Sequence, residues 1–185
     1  MPKNISKELE KEILGLSQKE KDRHLLRLIS RNNLLREQLQ YTLLEDESDL
    51  KYRVEEIREE LKSILCKRYS HVVFLTKAIR KQSTAIVWHR RVTKDKYGEL
   101  LLFTEYMELI LEHQQEHINA NTRKADVLRV YLTKKTLAII KMLDGLHADY
   151  RIDFLSRINK VLELLYTFYT RFEAAKLKLP TSLDI

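Results

Sequence analysis

Apolar residues recur three and four positions apart along most of the chain. That is the period of helices that bury one face. In residues 7–14, Leu9, Ile13 and Leu14 share a side, and Gly15 is placed to end the helix. Ser17-Gln18-Lys19-Glu20 fits a capping box, in which the serine hydroxyl and the glutamate carboxylate each reach the other's backbone N–H. A second helix carries Leu25, Leu26, Leu28 and Ile29 and stops at Asn32-Asn33. A third, over 34–44, spaces Leu35, Leu39 and Leu43 by four. These three read as short stacked hairpins.

The acidic run Glu45-Asp46-Glu47-Ser48-Asp49 suits the positive end of a helix dipole and marks a boundary. Beyond it, Leu50, Val54, Ile57, Leu61 and Ile64 form a seam over 49–68 that requires another helix against it. Cys66 near its end fits a small buried or half-buried side chain. Ser70 is placed to cap the next helix, although one long bent helix through it fits the pattern equally. Helices over 99–118, from about 122 to 143, and over 149–176 follow, with Gly98 and Gly145 at their ends. In the last, Leu155, Ile158, Leu162, Leu165, Tyr169 and Phe172 repeat like a coiled-coil seam, for a bundle core or a dimer contact. Leu179 to Ile185 read as a frayed tail.

The expected fold is therefore all-α, with seven to eight helices. Short N-terminal hairpins (1–48) precede an antiparallel bundle of longer helices (49–178) and a tail (179–185). An α-solenoid is the alternative, but no self-similar period is visible. Composition supports a globular chain: of 185 residues, 44% are hydrophobic and 33% charged. The two prolines, Pro2 and Pro180, lie near the ends, so none interrupts a helix in the body. One cysteine excludes an internal disulfide or a Cys-pair zinc site. No apolar run spans a membrane, and the first residues carry charges where a signal peptide needs an apolar core. A cytoplasmic location is the expectation.

Charge sharpens this picture. Residues 67–97 hold nine Lys or Arg against one acid, Asp95, a local charge of +8. Residues 98–120 hold five Glu (99, 105, 108, 112, 116) and no Lys or Arg, a local charge of −5. On a helix, Lys77, Arg80, Lys81, Trp88 and Arg91 gather on one face, opposite Leu75, Ile79 and Ile86. With Arg90 they form a candidate contact surface for nucleic acid or a protein partner: cations grip phosphate while the indole stacks on a base. The competing expectation is internal. Glu105, Glu108, Glu112 and Glu116 also share a face, and two stripes on neighbouring helices would pair.

His113-Gln114-Gln115-Glu116-His117 matches H-x-x-E-H and resembles the inverted-zincin metalloprotease motif. The resemblance implies His113 and His117 as zinc ligands and Glu116 as base. A catalytic zinc needs a third protein ligand, and the sequence names none. The glycines, at 15, 98 and 145, exclude phosphate-binding glycine loops, and no nucleophile motif is present. No cofactor is expected. The sequence points to a non-enzymatic helical interaction or adaptor protein that meets a protein partner or a second copy. The alternative is a nucleic-acid-binding protein using the basic helix.

Overall fold

The computed structural model describes residues 5–184. Ten α-helices and no strand occur among them, against the seven to eight expected. The helices are α1 (Lys7–Gly15), α2 (Gln18–Arg31), α3 (Asn33–Leu44), α4 (Glu47–Leu65), α5 (Val72–Thr93), α6 (Lys96–His113), α7 (Gln115–Asn119), α8 (Arg123–Asp144), α9 (Ala148–Thr167) and α10 (Thr170–Lys176). No described helix is long and apolar enough to cross a membrane. The chain forms two compact units, Met1–Glu45 and Asp46–Ile185.

The first unit is built by its caps. Ser6 accepts from Leu9 N–H, Ser17 and Glu20 form the reciprocal capping box, and Asn32 accepts from Leu35 N–H. These bonds satisfy donors that a helix start otherwise leaves exposed. α2 and α3 pack together, yet no residue of α1, α2 or α3 is buried. Local signals fix this unit; a hydrophobic core does not.

The second unit is organised around α6, which packs against α4, α5, α8 and α9. Leu100, Leu102, Phe103, Tyr106, Met107, Ile110 and Leu111 are all buried, so α6 is covered nearly all round. The buried Tyr106 hydroxyl donates to the Ile79 carbonyl (3.0 Å) and meets the Tyr131 hydroxyl (3.0 Å). Burial pushes its pKa far upward, so it remains a neutral donor.

Three breaks raise the helix count. α4 and α5 are separate: α4 ends at Leu65, and His71 rather than Ser70 holds the N-cap position of α5, with no side-chain bond. The helix expected over 99–118 stops at Gln114, whose backbone leaves the helical region. Its buried side chain donates to the carbonyls of Leu65 (2.6 Å) and Lys67 (2.9 Å), satisfying the end of α4. The last long helix is interrupted at Phe168, dividing α9 from α10. Ile158, Leu162 and Leu165 are buried in the unit's own core, while Tyr169 and Phe172 are exposed. The seam therefore does not run through.

Further expectations are corrected. Cys66 is exposed. Leu179 is buried rather than frayed. Its N–H donates to Ala174 (3.1 Å), and its carbonyl accepts from the Tyr166 hydroxyl (2.6 Å). Asn159 then holds Leu183 through two bonds, of 3.0 and 2.7 Å. Ile185 lies outside the described residues. Gly98 stands near a helix end, as expected, but the turn between α5 and α6 is made without it. Lys94 takes the left-handed conformation there (φ 63°), and Gly98 sits inside the first turn of α6.

Candidate nucleic-acid or partner interface

α5 is amphipathic in the expected sense. Leu75, Ile79, Ile86 and Val92 are buried, and Gln82, Ser83 and His89 join them as buried polar groups. Lys77, Arg80, Lys81 and Arg91 are exposed on the outer side, while Trp88 and Arg90 are half-buried. The Arg91 guanidinium lies 5.7 Å from the Trp88 ring centroid, and that of Arg80 lies 5.9 Å from the Tyr131 ring. Both are cation–π contacts that hold long side chains over aromatic faces.

Glu105, Glu108 and Glu112 of the acidic stripe bond to other helices than α5. Glu105 accepts from Arg58 Nε of α4 (2.7 Å), with Lys62 at 3.8 Å. Glu108 takes Arg157 of α9 through two bonds, and Glu112 takes Lys160 of α9 (2.6 Å). Hydrogen bonding to Glu105 raises the pKa of Arg58, and bonding to Glu108 does the same for Arg157. One α5 cation does pair with α6: Arg90 Nε lies 3.3 Å from Glu99, outside the predicted stripe. The zipper between the two stripes is thus replaced by bridges from α6 to α4 and α9. Lys77, Arg80 and Lys81 remain exposed and make none of these bridges.

Behind the basic face lies a polar layer. Lys135 of α8 donates to the Ser83 hydroxyl (3.1 Å), and its ammonium sits 4.1 Å from the Phe103 ring centroid. Burial lowers the Lys135 pKa and raises that of Glu99. Asp95 caps α6 by accepting from Gly98 N–H (2.9 Å). His89 Nε2 lies 3.7 Å from its carboxylate, too long for a hydrogen bond. Burial pushes the Asp95 carboxyl up, but the nearby imidazole and the N–H groups opening α6 together hold it below the usual range.

Among the described residues, a groove lies on either side of α5. One, of about 510 Å³, lies against α4 and is lined by Arg53, Glu56, Lys81, Trp88 and His89 over the apolar Ile57, Ala85 and Val92. The other, of about 250 Å³, lies against α8 and is lined by Lys77, Arg80, Lys124, Thr76, Val73 and Val127. The second has three cations and no carboxylate in its lining. Sequence reasoning missed Lys124, Arg53 and Glu56. They stand on other helices, and only packing brings them to α5.

The H-x-x-E-H residues fare differently. His113 ends α6 and Glu116 and His117 belong to α7, so the break at Gln114 interrupts the single helix on which the motif would hold both histidines. All three still line one hollow of about 320 Å³, beside Arg68 and Tyr69. His117 Nε2 bonds the Tyr69 carbonyl (2.8 Å), which occupies that nitrogen. No group of three or more His, Cys, Asp or Glu placed to hold a metal occurs among the described residues. The chain matches no protein-family model, no curated protein and no solved structure.

Proposed function

We propose that this is a non-enzymatic cytoplasmic interaction or adaptor protein. Its second unit serves as a helical-bundle scaffold, and its first unit meets a protein partner or a second copy. The observation that carries this reading is the first unit's apolar exposure. Leu9, Leu14, Leu25, Leu26, Leu28, Leu43 and Leu44 are all exposed, Leu44 at 80%, on helices with no buried residue. Scattered surface leucines are ordinary, but several on consecutive short helices support an association surface. Covering each such side chain gains roughly 1.5–3 kcal/mol. The test compares the full chain with Leu25→Ser/Leu26→Ser/Leu28→Ser, by in-cell cross-linking with mass spectrometry and by solution mass. Partners cross-linked to the first unit, or a self-associated mass, should be lost in the variant while the second unit keeps its melting temperature. Unchanged partners and mass would overturn the reading.

A second reading, nucleic-acid binding through the basic helix, is favoured by one observation. Glu105, Glu108 and Glu112 bond to α4 and α9, which leaves Lys77, Arg80 and Lys81 exposed. Anisotropy of a labelled mixed-sequence oligonucleotide should show binding that falls steeply with salt and is lost in Lys77→Glu/Arg80→Glu. No binding even at low salt would remove this reading.

A further inference from the structure

Resting on the nucleic-acid reading, we infer that the ligand is a single strand that crosses α5 from one flanking groove to the other. One of its bases seats in the Trp88 groove, and its phosphates lie on Lys77, Arg80, Lys81 and Lys124.

Three observations converge on this path. The groove between α5 and α8 presents Lys77, Arg80 and Lys124 with no carboxylate, so charge complementarity selects a polyanion. The groove between α4 and α5 has a different chemistry: an apolar floor, the Trp88 ring, two cations and a single carboxylate, Glu56. Its volume of about 510 Å³ admits a flat ring. A base placed there stacks on or beside the indole, and Glu56 accepts from an exocyclic amino group. Lys81 belongs to the groove against α4 yet lies one residue from Arg80 of the groove against α8, so it joins the two.

The distances suit a strand. Lys77 and Trp88 stand eleven residues apart along α5, which at 1.5 Å per residue is about 16 Å, the reach of a few nucleotides. A duplex suits this path less well, because its bases are already stacked on one another and offer no face to an indole in a groove. The readout is mainly of backbone and stacking, so sequence preference should be weak.

The test uses the full chain and fluorescein-labelled oligonucleotides of about 12 nucleotides, one single-stranded and one a duplex of the same sequence. Trp88, the only tryptophan, reports directly on its own groove. The single strand should bind more tightly than the duplex and quench Trp88 emission. Lys124→Glu should weaken it roughly tenfold or more with a reduced salt slope. Trp88→Leu should weaken it about tenfold with the salt slope unchanged, each variant being checked for an unaltered melting temperature. If the duplex binds equally well and Trp88 emission does not change, the single-strand path is overturned while the nucleic-acid reading stands. If a free mononucleotide quenches Trp88 as tightly as the strand and Lys124→Glu has no effect, the path is likewise overturned in favour of a nucleotide pocket. If nothing binds at low salt, both fall.

Discussion

Gly98 shows how much one hydrogen atom can decide. A Cβ there would come 2.1 Å from Asp95 Oδ2 and 3.4 Å from Val54. The Asp95 carboxylate accepts from the Gly98 N–H, so the cap and the absent side chain are one device. Gly98→Ala should displace that carboxylate and cost about 1–2 kcal/mol, read as a lower midpoint in denaturant unfolding. Asp95 also sets a pH dependence. Its folded pKa lies below its unfolded value, so its contribution is present above the unfolded carboxylate range and is lost as pH falls through the folded value. Asp95→Asn should therefore lower stability at neutral pH and flatten its decline in acid, as unfolding titrations would show. The sequence placed Gly98 near a helix end but could not show this contact, because Asp95 and Val54 close on it only in the packed molecule.

Among the elements, α6 gains its position as much from charge as from apolar packing. Arg157 and Glu108 are both largely covered, so breaking their pair leaves a carboxylate with little water. Arg157→Ala should destabilise by about 1–2 kcal/mol, discounted for the arginine's partial exposure. A double-mutant cycle with Glu108→Gln should return a favourable coupling. Much at this scale was legible. The Ser17–Glu20 capping box, the starts of α1 and α8, and the buried face of α5 all follow from residue type and spacing. The breaks were not legible. Gln114 and Phe168 are no helix breakers by type, and Gln114 leaves the helix to reach carbonyls 47 and 49 residues away in sequence. The destination of the acidic stripe was hidden for the same reason, since periodicity shows which residues share a face but not which neighbour that face meets.

At the scale of the whole molecule, the two units differ in what holds them. The leucine spacing of α3 resembles that of α4, yet Leu35 and Leu39 are only half-buried, whereas Leu61 and Leu65 are fully covered. Spacing reports amphipathicity, and burial depends on what is available to cover it. Residues 5–45 should therefore exchange their amides orders of magnitude faster than α6, and proteolysis should cut there first. Hydrogen exchange followed by mass spectrometry checks this directly. Equal protection in both units would mean that the first is covered in solution by self-association.

Gln114 has a mechanical consequence. Its one amide closes the end of α4 through Leu65 and Lys67, and its backbone marks the end of α6. The loop over 66–71 also receives His117 at the Tyr69 carbonyl, from the short helix just beyond that joint. Two helix ends nearly fifty residues apart are thus riveted to one hinge pin. Opening the loop that leads into α5 means unpinning α6 in the same motion, so the basic helix is anchored at its start to the most deeply packed helix in the molecule.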